Sequence, residues 1–140
     1  MHSYTVEFRI FSKEDEFDIN AITKSLGLTA NNTRKRGEPK SATRVFTESM
    51  WGYSVYHENS YDDWDCLEDA LELLVNIFMP LKNKIDEYLI KYKVVIWCGH
   101  FTSSFDGGPT LSAGILKKLG EFGVELDLDT YCSTDEGNPE

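Results

Sequence analysis

Polar and apolar residues alternate at the start of the chain. Apolar side chains stand at positions 4, 6, 8 and 10, and Thr5, Glu7 and Arg9 separate them. A period of two is typical of a β-strand that buries only one of its faces. The pattern therefore predicts that the fold begins with a half-buried strand.

Three further segments have the pattern of strands. Residues 94–97 form a continuous apolar run, which predicts a strand covered on both faces, in the middle of the sheet. Residues 124–129 alternate apolar and acidic side chains, which predicts a closing strand with its acids on one face. Residues 46–56 alternate loosely around Gly52, so this segment is predicted to be either a hairpin or one bulged strand.

Apolar side chains at three- and four-residue steps predict the helices. Asp18 is placed to cap a short helix, and a glycine follows both this helix and the last one, at residues 111–122. A long apolar stripe covers residues 64–92 and contains Pro80. This stripe predicts one long helix kinked at the proline, or two abutting helices.

The order of these elements predicts the class of fold. We expect an α+β domain with a mixed, mostly antiparallel sheet of four to five strands and helices packed mainly on one face, because strands with clean alternation need only one apolar neighbour. Residues 1–132 are predicted to form this single domain. Residues 133–140 are predicted to form a polar C-terminal tail.

Composition narrows the class of protein. The 140 residues are 41% hydrophobic and 13% aromatic, which indicates a folded chain with an aromatic core. The three cysteines lie far apart, no signal peptide is visible, and no apolar run approaches the length of a membrane span. We therefore expect a reduced, cytoplasmic protein without a membrane partner, a metal or another cofactor.

The net charge of -10 argues against nucleic-acid binding and favours basic partners. Two acidic segments are candidate contact sites, because together they could imitate a phosphate backbone and block the basic cleft of a nuclease. The alternative is a solvated helix face and an exposed strand edge. The acidic candidates are Asp62, Asp63, Asp65, Glu68, Asp69 and Glu72 in the first segment, and Glu125, Asp127 and Asp129 in the second.

A short basic segment contrasts with this acidic background. It lies around residues 30–41, which lack apolar periodicity and contain several turn formers, so a loop is predicted. The loop could bind a phosphate or another anion near Gly37, pair with the protein's own carboxylates, or contact an acidic patch on a partner. Its basic residues are Arg34, Lys35, Arg36, Lys40 and Arg44.

Two other groups of residues are candidates for function. Cys98 and His100 are two residues apart on a predicted strand, so they share a face and could act as a nucleophile and its base, whereas a buried, inert thiol is the alternative. Four aromatic residues could contact a partner if they are exposed, whereas burial in the core is their alternative role. These residues are Trp51, Tyr56, Tyr61 and Trp64.

Four segments recur in the same order in one bacterial family. They are Tyr4–Ile10 (YTVEFRI), Ile22–Leu28 (ITKSLGL), Arg34–Glu38 (RKRGE) and Glu125–Tyr131 (ELDLDTY). Over nearly its whole length the chain resembles the bacterial domain of unknown function 4279, except that Ala30 stands where that pattern has a proline. The resemblance implies a compact α+β domain and transfers no activity.

The leading hypothesis is a non-catalytic binding protein. Small acidic domains of this kind can serve as immunity proteins, so we expect a protein that neutralises a cognate basic bacterial toxin by occluding its active site. The alternative is a module that binds a small anionic ligand or phosphate through the basic loop. A third hypothesis, an enzyme that uses Cys98 and His100, requires a reactive thiol at Cys98.

Overall fold

A computed structural model describes residues 1–57, 60 and 62–133 of the chain. The predicted C-terminal tail, apart from Ser133, and Tyr61 lie outside the described residues. The elements are β1 (His2–Ser12), α1 (Ile19–Leu26), β2 (Asn32–Arg34), β3 (Ser49–Ser54), α2 (Leu67–Phe78), a 3-10 turn (Met79–Leu81), α3 (Lys82–Lys91), β4 (Lys93–Thr102), α4 (Ala113–Phe122) and β5 (Glu125–Cys132).

The five strands form one mixed sheet in the order β2-β3-β1-β4-β5. Strand β1 is antiparallel to both β3 and β4, and only β5 is parallel to its neighbour, β4. The predicted α+β fold with a mostly antiparallel sheet is thus confirmed. The predicted middle strand is wrong, because β1 and not β4 occupies the central position. An apolar run identifies an inner strand, but it does not specify which inner strand is central.

The helices pack on one face of this sheet, as expected. The alternate side chains Tyr4, Val6, Phe8 and Ile10 of β1 join one buried cluster with apolar residues from all four helices. At its centre the Phe8 ring stacks on Phe78 of α2, with 4.2 Å between ring centroids. The period-two pattern of β1 therefore reports directly which face the helices cover.

Helix ends follow the local signals in the sequence. The Asp18 carboxylate accepts a hydrogen bond from the Ala21 amide at 3.1 Å, and Gly27 and Gly123 end α1 and α4 in left-handed conformations. The long apolar stripe is two helices, α2 and α3, joined by the 3-10 turn that contains Pro80, since proline lacks the amide that would continue the first helix. None of the helices in the described part of the chain has the length and apolarity that a membrane span requires.

The segment predicted to be a loop contains more structure than its sequence indicates. It includes β2, and residues 37–46 form a narrow hairpin in which Gly37 donates to the Phe46 carbonyl at 2.9 Å and Phe46 donates to the Glu38 carbonyl at 3.0 Å. Phe46 therefore belongs to this hairpin, and the segment 46–56 supplies a single strand, β3. Neither β2 nor the hairpin has a row of buried apolar side chains of its own, so hydrophobic periodicity in the sequence could not predict them.

Candidate functional site

The sheet face opposite the helices carries mostly polar side chains, and we call it the open face. Strand register places Glu7 of β1 across from Ser54 of β3 and from Trp97 of β4, and it places Trp97 beside Asp127 of β5. Every second residue of a strand points to the same side. The open face therefore comprises Thr5, Glu7, Arg9, Phe11, Asn32, Arg34, Met50, Gly52, Ser54, Lys93, Val95, Trp97, Gly99, Phe101, Glu125, Asp127, Asp129 and Tyr131.

Glu7 is the centre of a hydrogen-bond network on this face. Its carboxylate accepts from Arg9 Nε at 2.6 Å, from Asn32 Nδ2 at 2.9 Å and from Ser54 Oγ at 2.5 Å. The residue is only 5% exposed, so these donors replace the water that the charge lost on folding. Glu7 thereby joins β1, β2 and β3 through side chains.

Arg9 and Trp97 extend the network towards the other edge of the sheet. The Arg9 guanidinium carbon lies 4.1 Å from the centre of the Trp97 ring, which is a cation–π contact. The Trp97 indole Nε1 in turn donates to Asp129 Oδ2 at 2.5 Å. Side-chain contacts thus run without interruption across all five strands.

Gly99 makes room for the indole of Trp97. A Cβ atom at this position would lie 2.6 Å from Cη2 of Trp97 and 2.7 Å from Oγ1 of Thr5, which is too close for either atom. A glycine inside a strand often marks such a close approach. The position of the Trp97 ring therefore depends on glycine at residue 99, because any side chain there would occupy the same space.

A cavity of about 270 Å³ lies beside this network. Glu7, Arg9 and Trp97 line it, together with Asp62 and Asp63 from the segment before α2. Asp63 accepts a long hydrogen bond from Ser3 Oγ at 3.4 Å. The cavity thus has an aromatic wall and a rim that includes two exposed carboxylates.

The acids of the closing strand lie beyond Trp97, on the neighbouring strand β5. Glu125, Asp127 and Asp129 are exposed and alternate along β5, the edge strand, so their side chains share the open face as predicted. Beyond them Phe101 and Tyr131 stack with 5.2 Å between ring centroids, although both are well exposed, at 37% and 50%. An exposed aromatic pair next to carboxylates is typical of a surface that binds a protein.

The remaining acidic candidates lie away from this region. The Glu68 carboxylate accepts hydrogen bonds from the amide and hydroxyl of Ser112, and Glu72 forms a 3.0 Å ion pair with Lys118. These contacts tie α2 to α4 on the helical side of the sheet. Asp65 precedes α2 and Asp69 belongs to it, and both are exposed. The first acidic segment is therefore divided: Asp62 and Asp63 line the cavity beside Trp97, whereas Glu68 and Glu72 are held by residues of α4 and of the segment before it.

The basic residues are also divided. Arg36 pairs with Asp15, with 2.5 Å between Nη1 and Oδ1. For this residue the structure agrees with the alternative in which the basic segment pairs with the protein's own carboxylates. Arg34, Lys40 and Arg44 instead line a second cavity, of about 360 Å³, at the opposite corner of the open face. Lys35 is exposed and does not line this cavity. The open face therefore has an acidic corner at β5 and a basic corner at β2.

Two of the aromatic contact candidates belong to the core, which corrects their predicted role. Trp51 is fully buried and Trp64 is 7% exposed. Their indole nitrogens donate to Thr23 Oγ1 at 3.0 Å and to the Val55 carbonyl at 2.9 Å. Tyr56 is 36% exposed and lies beside the acidic cavity.

Cys98 and His100 share the helical face of β4. Burial, with a smaller contribution from Asp127, raises the pKa of the Cys98 thiol to about 12, so the thiol is protonated at neutral pH and is a poor nucleophile. His100 hydrogen bonds instead to His2, with 2.8 Å between Nε2 and Nδ1. No group of three or more potential ligand side chains among the described residues is arranged to hold a metal ion.

Several open-face residues were not among the predicted site residues. The alternation of β1 already places Glu7 and Arg9 on one face, two residues apart and with opposite charge, and this was a usable signal. Trp97, Phe101 and Tyr131 offered no such signal. Their proximity to the acids depends on the pairing of β4 with β5, which no local pattern specifies.

The architecture defines an α+β domain with a helical layer on one face of the sheet and a mostly polar face without helices on the other. The sequence profile of the family described as "Domain of unknown function (DUF4279)" matches residues 2–133. The chain therefore belongs to this family, as its four motifs indicated. Comparisons with curated proteins and with solved structures gave no significant match.

Proposed function

We propose that this protein is a non-catalytic binding protein that receives a basic protein partner on the acidic corner of its open face. In the most concrete form of the proposal it is a cytoplasmic immunity protein, which neutralises a cognate basic bacterial toxin by occluding the toxin's active site. One observation carries the proposal: exposed carboxylates and an exposed, stacked aromatic pair occupy the same uncovered corner of the sheet.

The charge of this corner favours a basic partner. Glu125, Asp127 and Asp129 lie there along β5, and Asp62 and Asp63 line the neighbouring cavity that Trp97 also lines. Within the described residues none of the five forms an ion pair. Carboxylates without an ion-pair partner attract a positively charged surface and accelerate its association, an effect that salt weakens.

The aromatic pair supplies the apolar contact that charges alone do not give. Phe101 and Tyr131 present stacked rings to solvent, and aromatic residues at the centre of an interface commonly contribute most of the binding free energy. Aromatic side chains next to a row of charged ones combine the apolar and polar contacts that protein interfaces use. The hydrogen-bonded network of Glu7, Arg9 and Trp97 on the same face of the sheet would limit the conformational entropy lost on binding.

The partner can be tested through the gene next to the one that encodes this protein. The product of the adjacent upstream gene should bind the purified protein in a pull-down, and co-expression of the two should restore growth to cells that the upstream product inhibits. If neither binding nor rescue occurs, the proposal fails.

Variants can then locate the surface. The double charge reversal Glu125→Lys with Asp127→Lys should weaken binding by at least about tenfold and reduce its dependence on salt. Tyr131→Ala should weaken binding by at least about fivefold, because it removes an exposed aromatic contact. Glu87→Lys changes an exposed acid on α3, on the helical side, and should leave affinity unchanged. Glu87→Lys changes the net charge by half as much as the double variant, so a loss of binding free energy about half as large would show that net charge, and not this surface, controls binding.

A further inference from the structure

The basic corner of the open face is a concave and ordered site. Its cavity of about 360 Å³ lies between the end of β1, at Phe11, and the hairpin of residues 37–46. Within the hairpin, Lys40 donates its backbone amide to the Arg44 carbonyl at 2.9 Å, and Pro39 bridges to Val45. The turn thus fixes the backbone positions of Lys40 and Arg44 before any ligand arrives.

Three cations line this cavity without a carboxylate partner. Arg34, Lys40 and Arg44 form no ion pair with any described carboxylate, whereas Arg36, from the same basic segment, is paired with Asp15. The one acid in the described lining is Glu48, and it lies beyond ion-pair distance of all three cations. Like charges held at one cavity repel each other unless an anion joins them.

The aromatic wall of the cavity also orients one of the cations. The Arg34 guanidinium carbon lies 5.6 Å from the centre of the Phe46 ring, within the range of a cation–π contact. Phe11 and Val45 complete an apolar surface beside the charged groups. The cavity therefore offers positive charge together with an apolar contact area.

We infer that this corner binds a small phosphate-bearing anion, of the phosphomonoester class, through Arg34, Lys40 and Arg44. A phosphate monoester carries a charge of about -1.5 to -2 at neutral pH and presents three strong acceptor oxygens, which matches three cationic donors better than a single carboxylate does. The cavity volume falls in the range of small-molecule sites. The apolar wall would contact the organic part of the ester. This inference is independent of the protein partner proposed for the acidic corner.

The test uses phenyl phosphate as a probe, with inorganic phosphate and benzoate beside it, in calorimetric titrations of the whole protein at constant ionic strength. Phenyl phosphate should bind saturably and more tightly than inorganic phosphate, because only the ester reaches the apolar wall, and benzoate should bind more weakly. Absence of saturable binding of phenyl phosphate up to about 10 mM would overturn the inference. A dissociation constant above this concentration would correspond to very little binding free energy.

Matched variants distinguish a built site from general positive charge. Lys40→Gln and Arg44→Gln should each weaken phenyl phosphate binding by about tenfold, the usual loss for one charged hydrogen bond. Lys35→Gln removes the same charge as Lys40→Gln from outside the cavity and should have little effect, and Glu48→Gln should strengthen binding. Equal losses for Lys35→Gln and Lys40→Gln would overturn the site. Saturable binding of an oligoglutamate peptide, without saturable binding of phenyl phosphate, would also overturn the inference. That result would indicate that the basic corner binds acidic proteins.

Discussion

Arg9 stacks on Trp97 across the two inner strands β1 and β4, with its guanidinium carbon 4.1 Å from the centre of the indole ring. The same Arg9 donates through Nε to Glu7, and the indole of Trp97 donates to Asp129. The buried polar groups on this face need hydrogen-bond partners, and one continuous chain of side-chain contacts supplies them. Stability and the shape of the open face are therefore linked.

Removal of the Glu7 carboxylate should destabilise the fold. Glu7→Ala leaves Arg9, Asn32 and Ser54 without their common acceptor, and loss of one partner from a buried ion pair costs about 3–5 kcal/mol. Urea denaturation measures this change in the free energy of unfolding. Glu16→Ala, at an exposed acid outside the network, is the control and should change stability by less than about 0.5 kcal/mol. Equal stabilities of the two variants would contradict the role given to Glu7.

Two glycine-to-alanine substitutions should have opposite effects. Gly99→Ala places a methyl group against Trp97 and Thr5, so it should displace the indole and lower the free energy of unfolding by about 1–3 kcal/mol. Gly120→Ala adds a methyl group to open space on α4 and should raise stability by about 1 kcal/mol, because alanine favours the helix. Tryptophan fluorescence and thermal unfolding measure both effects. An unchanged spectrum for Gly99→Ala would show that Trp97 does not need this space.

Two histidines, His2 and His100, form a hydrogen-bonded pair at the start of β1. His2 Nε2 lies 2.8 Å from the Asp106 carbonyl, which can only accept, so this nitrogen donates. His2 Nδ1 lies 2.8 Å from His100 Nε2, and His100 Nδ1 lies 3.2 Å from the Thr130 hydroxyl, so the two rings and the hydroxyl form one hydrogen-bonded chain. Burial, and next the proximity of His2, lower the pKa of His100 below its ordinary value of 6.5. The His100 ring is therefore mostly neutral in the folded protein at neutral pH.

Stability should fall on acidification because of this pair. The folded-state pKa of His100 lies below its unfolded value, so the unfolded chain binds the proton first as the pH falls below about 6.5, and the free energy of unfolding decreases. Urea denaturation from about pH 7.5 to about pH 5.5 measures the decrease. His100→Gln removes the titrating group, so its stability should depend less on pH over this range. The same slope in the variant and the native protein would assign the effect to other groups.

The three cysteines should differ in reactivity. Cys66 is exposed, Cys132 is partly buried, and Cys98 is buried with its pKa raised to about 12. Iodoacetamide near neutral pH should therefore modify Cys66 first and leave Cys98 unmodified until the protein is unfolded, since only the thiolate reacts. Mass spectrometry of native and urea-treated protein distinguishes the sites. Rapid modification of Cys98 in the native protein would contradict this prediction and support the hypothesis of an enzyme that uses Cys98 and His100.

Local signals in the sequence were sufficient for most elements. The alternation of β1, the cap at Asp18 and the glycines after α1 and α4 each depend on residues within a few positions, and the structure confirms them. The short strand β2 and the hairpin of residues 37–46 had no such signal. Their backbone hydrogen bonds are satisfied by strand β3 and by the hairpin's own turn, and their side chains are largely exposed, so no hydrophobic period marks them.

By itself the sequence determined the class of fold, the family and the residues of β1 that face the core, because these depend on local periodicity and on short motifs. Tertiary structure decided which charges meet. It separated Glu68 and Glu72 from the β5 acids, and it paired Arg36 with Asp15 while giving Lys40 no ion-pair partner among the described residues. Strand order and register bring residues up to a hundred positions apart into contact. The energy of such contacts depends on the pairing of whole strands, which no short window of sequence contains.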